Sequence, residues 1–312
     1  MTNWFTLNGY SGILLPGAVP ISLADFAPLV GAAPVAHMDR AVWLTSQVEA
    51  PKWGTVQGYD GAAMSGGLLH NVSVLPKTVA QGDLFGLLAK IFEYVDAKGA
   101  ANVPVTNMRQ ALQAKGWTVA RDGVLRNASG LKVSGQDIRN EFTPPDGKVP
   151  RQGPQFDQAM RWAMLFHNLF SDPGTRRAQI DYAALWLARG KSDLEMSVYR
   201  KFAVGLDTPV HLPSTMLPVP VDLAMCVYHS FSVNAPATAA ECLEQAMALV
   251  DPSATAEKFA TALLRRLGKR EFGKWTDKPG DGDDRYDRTR KAVWASGIWD
   301  TTLTHQLMPT DL

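Results

Sequence analysis

The sequence predicts an α+β protein made mostly of helix, and three features carry that prediction. Apolar residues recur at helical spacing over long stretches, above all in "GDLFGLLAKIFEYVDA", where Leu84, Leu87, Leu88, Ile91, Phe92 and Val95 form one stripe. β-forming residues alternate with glycine in two segments, "WGTVQGYDGAAMSGGLLHNVSVLP" and "WTVARDGVLRNASGLKVSG", each carrying a turn pair, Asp60-Gly61 in the first and Asp122-Gly123 and Ser129-Gly130 in the second. Beyond Pro154 nearly every segment has the helical period, with Pro and Gly as punctuation.

The elements follow in order. Residues 1 to about 33 read as an irregular arm rich in Gly and Pro, with a short helix near "SLADFAPLV". "MDRAVWLTSQVE" then sets Ala41, Leu44 and Val48 on one helical face with Trp43 at its edge. Pro51 limits the helix, so Glu49 belongs to its last turn. A small twisted hairpin is expected next, then the stripe helix from Gly82 to Ala97, a helix over "TNMRQALQAKG", the second hairpin, and the start of a helix at residues 137 to 142. "TPPDGKVPRQGP", Thr143 to Pro154, holds four prolines and the turn pair Asp146-Gly147 and is the best linker or surface loop. Helices are predicted at "FDQAMRWAMLFHNLFSD", "QIDYAALWLARG", "LEMSVYRKFAVG", "VDLAMCVYHSF", "TAAECLEQAMALV" and "TAEKFATALLRRLG", with no repeat period and no low-complexity tract.

Composition excludes several functions. The chain of 312 residues is 46% hydrophobic, enough for the core of one large or two smaller domains. A net charge of +1, from 31 basic and 30 acidic residues, gives no global field, so neither nucleic acid nor an anionic membrane is expected as partner. The opening "MTNWFTLNGYSGILLPGAVP" lacks a basic n-region, and Gly and Pro break its apolar run, so no secretory signal and no membrane span is readable there. Synthesis in the cytoplasm is the expectation, and action elsewhere would need release or delivery. Cys226 and Cys242 match no zinc or redox spacing and read as buried helical thiols, with a disulfide between them as the alternative.

Chemistry concentrates in "WLTSQVEAPKWGTVQGYDGAAMSGGLLHN", Trp43 to Asn71. Glu49 closes a helix at the end where the macrodipole disfavours a negative charge. It is followed by a glycine-rich hairpin bearing Asp60, Ser65 and His70, an order that can face two carboxyl groups across a groove. Glycosidic cleavage needs one carboxyl kept protonated for the leaving oxygen and a second group that supports attack at the anomeric carbon. Apolar neighbours Trp43, Val48 and Trp53 would favour the protonated form of Glu49, whereas turn N–H groups would keep Asp60 ionised. Taken singly, Glu49 is equally a solvated helix end and Asp60 a turn former.

The pattern E-x10-D-G-x3-S-x-G-L-L-H resembles the catalytic segment of the lysozyme-like glycoside hydrolase superfamily, particularly phage-type lysozymes and chitosanases. "SGGLLH" is also similar to the "GLMQ" segment of lytic transglycosylases, with His70 in the glutamine place. The resemblance implies a lysozyme-like helical domain whose hairpin frames a groove, over residues 34–205, with 206–312 a helical C-terminal portion of the same or a second domain. It implies Glu49 as the acid, Asp60 as the second carboxylate and Ser65 as the hydroxyl that positions water. The substrate would be a β-1,4-linked amino-sugar polymer, with peptidoglycan first, and a delivery apparatus or an immunity protein would fit as protein partner. A single-glutamate, transglycosylase-like reaction is the alternative should Asp60 point away. A non-catalytic glycan-binding or structural component of a phage particle or secretion apparatus is the rival of another class.

Substrate contacts are expected from Trp53, Gln57, Tyr59 and His70 in the hairpin. A flat aromatic ring suits the C–H face of a pyranose, and Trp117 shares that chemistry, although core packing explains each aromatic as well. No cofactor is expected. The acidic run "DKPGDGDDRYD", Asp277 to Asp287, lacks the alternation and distal glutamate of a calcium loop and reads as solvated. His167, His211 and His229 lack metal-ligand spacing, so no metal site is expected. "RRLGKREFGKW", Arg265 to Trp275, is a basic helix end that complements its own dipole, and no nucleotide-binding glycine motif or nucleophile elbow occurs.

Overall fold

The computed structural model of the chain describes residues 3–7, 10–26, 37–58, 62–143, 153–188, 219–233 and 235–250, and residues 258, 259, 262, 263, 266 and 267. The described residues form a mixed α+β structure, largely helical with small sheets. They fall into two compact units that interleave in sequence. One comprises Met1–Ile21 and Ala50–Tyr182, the other Ser22–Glu49 and Ala183–Leu312. The blocks 1–33, 34–205 and 206–312 expected from sequence are consecutive; these units are not, because the helix ending at Glu49 packs with helices from far along the chain.

The strand-bearing unit starts where an irregular arm was expected. Asn3–Leu7 (β1) and Tyr10–Leu15 (β2) are antiparallel strands in register Leu7 with Tyr10 and Asn3 with Leu14. β2 continues into the following segment by pairing Ile13 with Gly58 and Leu15 with Val56. A five-stranded antiparallel sheet results, in the order β1-β2-β5-β6-β7, where β5 is Val56–Gly58, β6 Ser65–Gly66 and β7 Asn71–Val72. Val19–Pro20 (β3) pairs with Lys52–Trp53 (β4) alongside. The predicted hairpin is therefore part of a sheet, and its glycines are steric necessities. Gly54 lies at φ +85, where a Cβ would strike Ser171 Oγ, and a Cβ on Gly66 would enter the Phe170 ring at 2.7 Å.

Helices back this sheet. Leu84–Lys98 (α2) buries the predicted stripe and stops at Gly99 in the left-handed conformation, φ 64. Val103–Ala114 (α3) begins three residues before the expected start at Thr106, with Asn102 as its cap. The Asn102 side chain accepts from Val105 N–H at 2.9 Å, and Pro104 occupies the first turn, where a missing N–H costs nothing. Trp117–Val119 (β8) and Leu125–Asn127 (β9) form the second predicted hairpin. Gly135–Phe142 (α4), capped by Ser134, covers residues 137 to 142, where the start of a helix was expected. Pro154–Ser171 (α5) carries the aromatic core at helical spacing. Trp162, Phe166 and Phe170 are buried, with Phe142 of α4 set 5.1 Å from Trp162 and 5.7 Å from Phe166, ring centre to ring centre. Arg176–Ala188 (α6) follows and passes the unit boundary at Tyr182.

In the helical unit, His37–Glu49 (α1) lies against a short 3-10 turn at Leu23–Phe26 and against Val219–Ser232 (α7), which in turn packs on Pro236–Leu249 (α8). Phe259, Leu263 and Leu267, spaced four apart, are helical and buried. Cys242 is a buried free thiol, its Sγ 3.6 Å from the Arg266 carbonyl oxygen, so no disulfide holds this unit through it. The side chain of Cys226, the predicted helix "LEMSVYRKFAVG", most of the Thr143 to Pro154 loop, the acidic run Asp277 to Asp287, and His211 lie outside the described residues. No helix among the described residues is long and apolar enough to cross a membrane.

Candidate functional site

Glu49 is the last residue of α1, as its sequence position before Ala50-Pro51 predicts. The helix that carries it is enclosed all round: Asp39 through Ser46 are buried without interruption. Its hydroxyls are satisfied within the helix, Thr45 Oγ1 donating to the Ala41 carbonyl at 2.8 Å and Ser46 Oγ to the Trp43 carbonyl at 2.7 Å. Burial relaxes at Gln47 and Glu49, both half-buried. No basic residue sits in the last turn of α1, the end where the helix dipole disfavours a negative charge.

The hairpin residues belong to the other unit and form their own cluster. Gln57 on β5 stands opposite Ser65 on β6. The Gln57 side-chain amide nitrogen is 2.9 Å from His70 Nδ1, and Ser65 Oγ reaches the Gln57 carbonyl oxygen at 3.5 Å. With the amide as donor, Nδ1 is the acceptor and the ring proton resides on Nε2, which is itself buried. His70 adopts a left-handed backbone, φ 49, a conformation that a non-glycine residue holds only where its surroundings dictate it.

Burial changes the role that the sequence suggests for these side chains. Ser65 is 1% exposed and Gln57 9%, so the Ser65 hydroxyl bonds to the hairpin's own backbone and sits inside the fold. Trp53, read from sequence as a platform for a sugar ring, is 1% exposed, and the Arg176 guanidinium lies 5.1 Å from its ring centre. An indole beside two glycines and a strand is well suited to fill the core, and here it does. Trp117 is half-buried. Tyr59 and Asp60 lie outside the described residues.

The side chains that build this hairpin include several that the sequence reading did not single out. Asp83, just before α2, accepts from the Asn71 amide through Oδ2 and from Val72 N–H through Oδ1 at 2.8 Å, tying β7 to the helix start. Tyr182 donates to the Asp83 carbonyl at 3.0 Å. Ser73 Oγ donates to the Ala62 carbonyl at 2.7 Å and accepts from Met64 N–H at 3.1 Å, closing the loop before β6 from inside. The only local signal for Asp83 was its place before an apolar helical stripe, the position of a capping residue. Its long-range bonds to β7 leave no such trace.

Among the described residues no group of three His, Cys, Asp or Glu side chains converges. His167 Nδ1 is instead hydrogen-bonded to the Gly54 carbonyl at 2.7 Å, and His229 is buried in α7. Compared with protein-family models, curated proteins and solved structures, the chain matches none.

Proposed function

We propose that the chain is a glycosidase of the lysozyme type, with Glu49 as the general acid, acting on a β-1,4-linked amino-sugar polymer such as peptidoglycan. The observation that carries the proposal is the setting of Glu49. A buried helix ends on the half-buried carboxyl of Glu49, at the end where the macrodipole disfavours a negative charge, immediately before a glycine-rich strand system with the D-G-x3-S-x-G-L-L-H pattern. A proton donor must be held by the fold and still be reachable by substrate, and a half-buried carboxyl at a helix end meets both needs.

In the proposed reaction Glu49 gives its proton to the glycosidic oxygen as the bond to the anomeric carbon breaks. Asp60 as the second carboxylate would direct water to that carbon, and hydrolysis adds one water to the products. In the single-glutamate route no water is added and an anhydro end is left. The buried Ser65 hydroxyl, bonded to Gln57, favours a share for Ser65 in shaping the hairpin over one in holding water. Access to a cell wall would follow from release or from delivery by a secretion machine.

A non-catalytic glycan-binding or structural component is the second reading, and burial favours its structural form, because it withdraws two of the four expected substrate contacts, Trp53 and Gln57, and the water-positioning hydroxyl of Ser65. Incubation with purified peptidoglycan and with chitosan, followed by mass analysis, separates the two. Products that disappear with Glu49→Gln support the enzyme, and their water content tells hydrolysis from transglycosylation. Intact polymer after prolonged incubation with the wild-type chain overturns it.

A further inference from the structure

The net charge of +1 for the whole chain is an average that hides a local excess of positive charge. Between the end of α2 and the start of α4, residues 99 to 134 hold five basic residues, Arg109, Lys115, Arg121, Arg126 and Lys132, against one acid, Asp122. The rest of the chain is therefore net negative. Three of the five cations have an acid beside them: Arg109 meets Asp96 at 2.7 Å, Lys115 meets Glu141 at 2.8 Å and Arg126 meets Asp122 at 2.7 Å. Arg121 and Lys132 are exposed and make no ion pair with a described residue. Lys132 also stands directly opposite Arg126, in an isolated antiparallel bridge beside β9. Like charges set opposite each other on a sheet repel, and a polyanion laid over them removes that cost.

This basic segment has the order helix, short turn, helix, hairpin. α2 stops at Gly99 in the left-handed conformation, and the four residues from Gly99 to Asn102 lead into α3. A turn of that length containing glycine joins the two helices of a helix-turn-helix. β8 follows α3 after Lys115 and Gly116 alone, so the hairpin adjoins the second helix. α3 buries Val105, Met108 and Leu112, and it exposes Asn107, Gln110 and Gln113 within one arc of about 120°. The three side-chain amides have no hydrogen-bond partner among the described residues, and α3 carries no acid.

We propose that α3 is a recognition helix that docks in the major groove of double-stranded DNA, with Arg121 and Lys132 of the adjoining hairpin segment on phosphates. The major groove of B-form DNA admits an α-helix, and a side-chain amide can both donate to and accept from the edge of adenine there. Cations at the margin fix the helix on the duplex through the backbone, which every sequence offers. Duplex RNA is a different surface, because its deep, narrow major groove is closed to side chains. The site is independent of Glu49 and of any glycan chemistry.

The test is a titration of a fluorescein-labelled, mixed-sequence DNA duplex with the full chain, followed by anisotropy. At about 50 mM salt the dissociation constant should be about 10 µM or tighter, and its logarithm should rise with that of the salt concentration by about 0.9 per phosphate held. The double variant Arg121→Gln, Lys132→Gln should lower that slope by about 2. Both side chains are exposed and unpaired, so its thermal midpoint should stay at the wild-type value. Gln110→Glu places a negative charge on the outer face of α3 with almost no change of shape, and it should weaken binding about tenfold or more. Gln155→Glu, the same change at an exposed position of α5, should leave binding as it is. Affinity weaker than about 10 µM at the lower salt, or a slope unchanged in the double variant, overturns the proposal. Equal losses from Gln110→Glu and Gln155→Glu overturn the docking of α3, and equally tight binding of a duplex RNA overturns the major-groove assignment.

Discussion

The helix that carries Glu49 and the hairpin that carries Ser65 are ordered by different forces. α1 is buried on every side, Asp39 and Arg40 with its apolar residues, and its two hydroxyls spend their bonds within the helix. The β5–β7 hairpin is made of strands two or three residues long, too short to be stable by pairing alone. Side chains from outside it hold it in place: Asp83 on β7, Tyr182 on Asp83, and Ser73 across the loop. A helix of the first kind tolerates polar change only at its ends, which is where Glu49 lies. A hairpin of the second kind transmits any change in its polar supports to Gln57, Ser65 and His70 together.

The largest expected effect falls on the end of α1. Glu49→Gln should lower glycan cleavage by about 10² to 10⁴ or more, the loss typical for a general acid, while the thermal midpoint stays near wild type. Turnover at the wild-type rate would remove Glu49 from the chemistry and leave α1 a purely structural helix.

Within α1, Leu44→Ala should cost about 2–5 kcal/mol by opening a cavity around a fully buried side chain, measured by denaturant unfolding. The matching change in the hairpin is Asp83→Ala, which strands the Asn71 amide and the Val72 N–H. It should cost about 1–3 kcal/mol and shift the His70 ring signals in a proton spectrum, as Leu44→Ala should not. If both variants perturb His70 equally, the contrast between a helix held by burial and a hairpin held by polar side chains is lost.

A smaller effect is expected at Ser65→Ala, on the order of 1 kcal/mol from one modest hydrogen bond to the Gln57 carbonyl. Should Ser65 position water instead, the variant would lose turnover steeply with stability intact, which paired kinetic and unfolding measurements would reveal.

The smallest effect belongs to the exposed Asp96–Arg109 pair. Its hydrogen bond lowers the Asp96 pKa, so the folded state is favoured while the carboxyl is ionised. That contribution is whole above the ordinary carboxylate range, near pH 4, and is lost as pH falls through the lower folded value. Asp96→Asn should therefore flatten the acid limb of the stability profile slightly, and solvent screening keeps the change small. A steeper acid limb in the variant would contradict the sign.

Glycines and periodicity made much of this legible in advance. The α2 stripe, the end of α1 at Glu49 and the turn pair Asp122-Gly123 all appear as read, since each depends on residues within a turn or two of one another. The strands at the N-terminus had a signal too, Asn8-Gly9 between two β-forming runs, although the surrounding Gly and Pro argued for an arm. The groove residues fared differently. Trp53, Gln57 and Ser65 carry the chemistry of a sugar site, yet the fold turns them inward, and no local pattern distinguishes an indole that stacks on substrate from one that fills a core.

By itself the sequence determined the described helices, the helix-closing glutamate and the presence of a glycine-rich hairpin after it, because propensity, capping and period act over a few residues. Only the tertiary structure decided that β2 pairs with β5, that His167 holds the Gly54 carbonyl and that Tyr182 reaches Asp83. It also decided that α1 packs on α7 and that Ser65 lies inside. Those outcomes join residues tens to more than a hundred positions apart, and which of many apolar or polar partners meets which depends on the packing of the whole unit, a quantity that no short stretch of sequence contains.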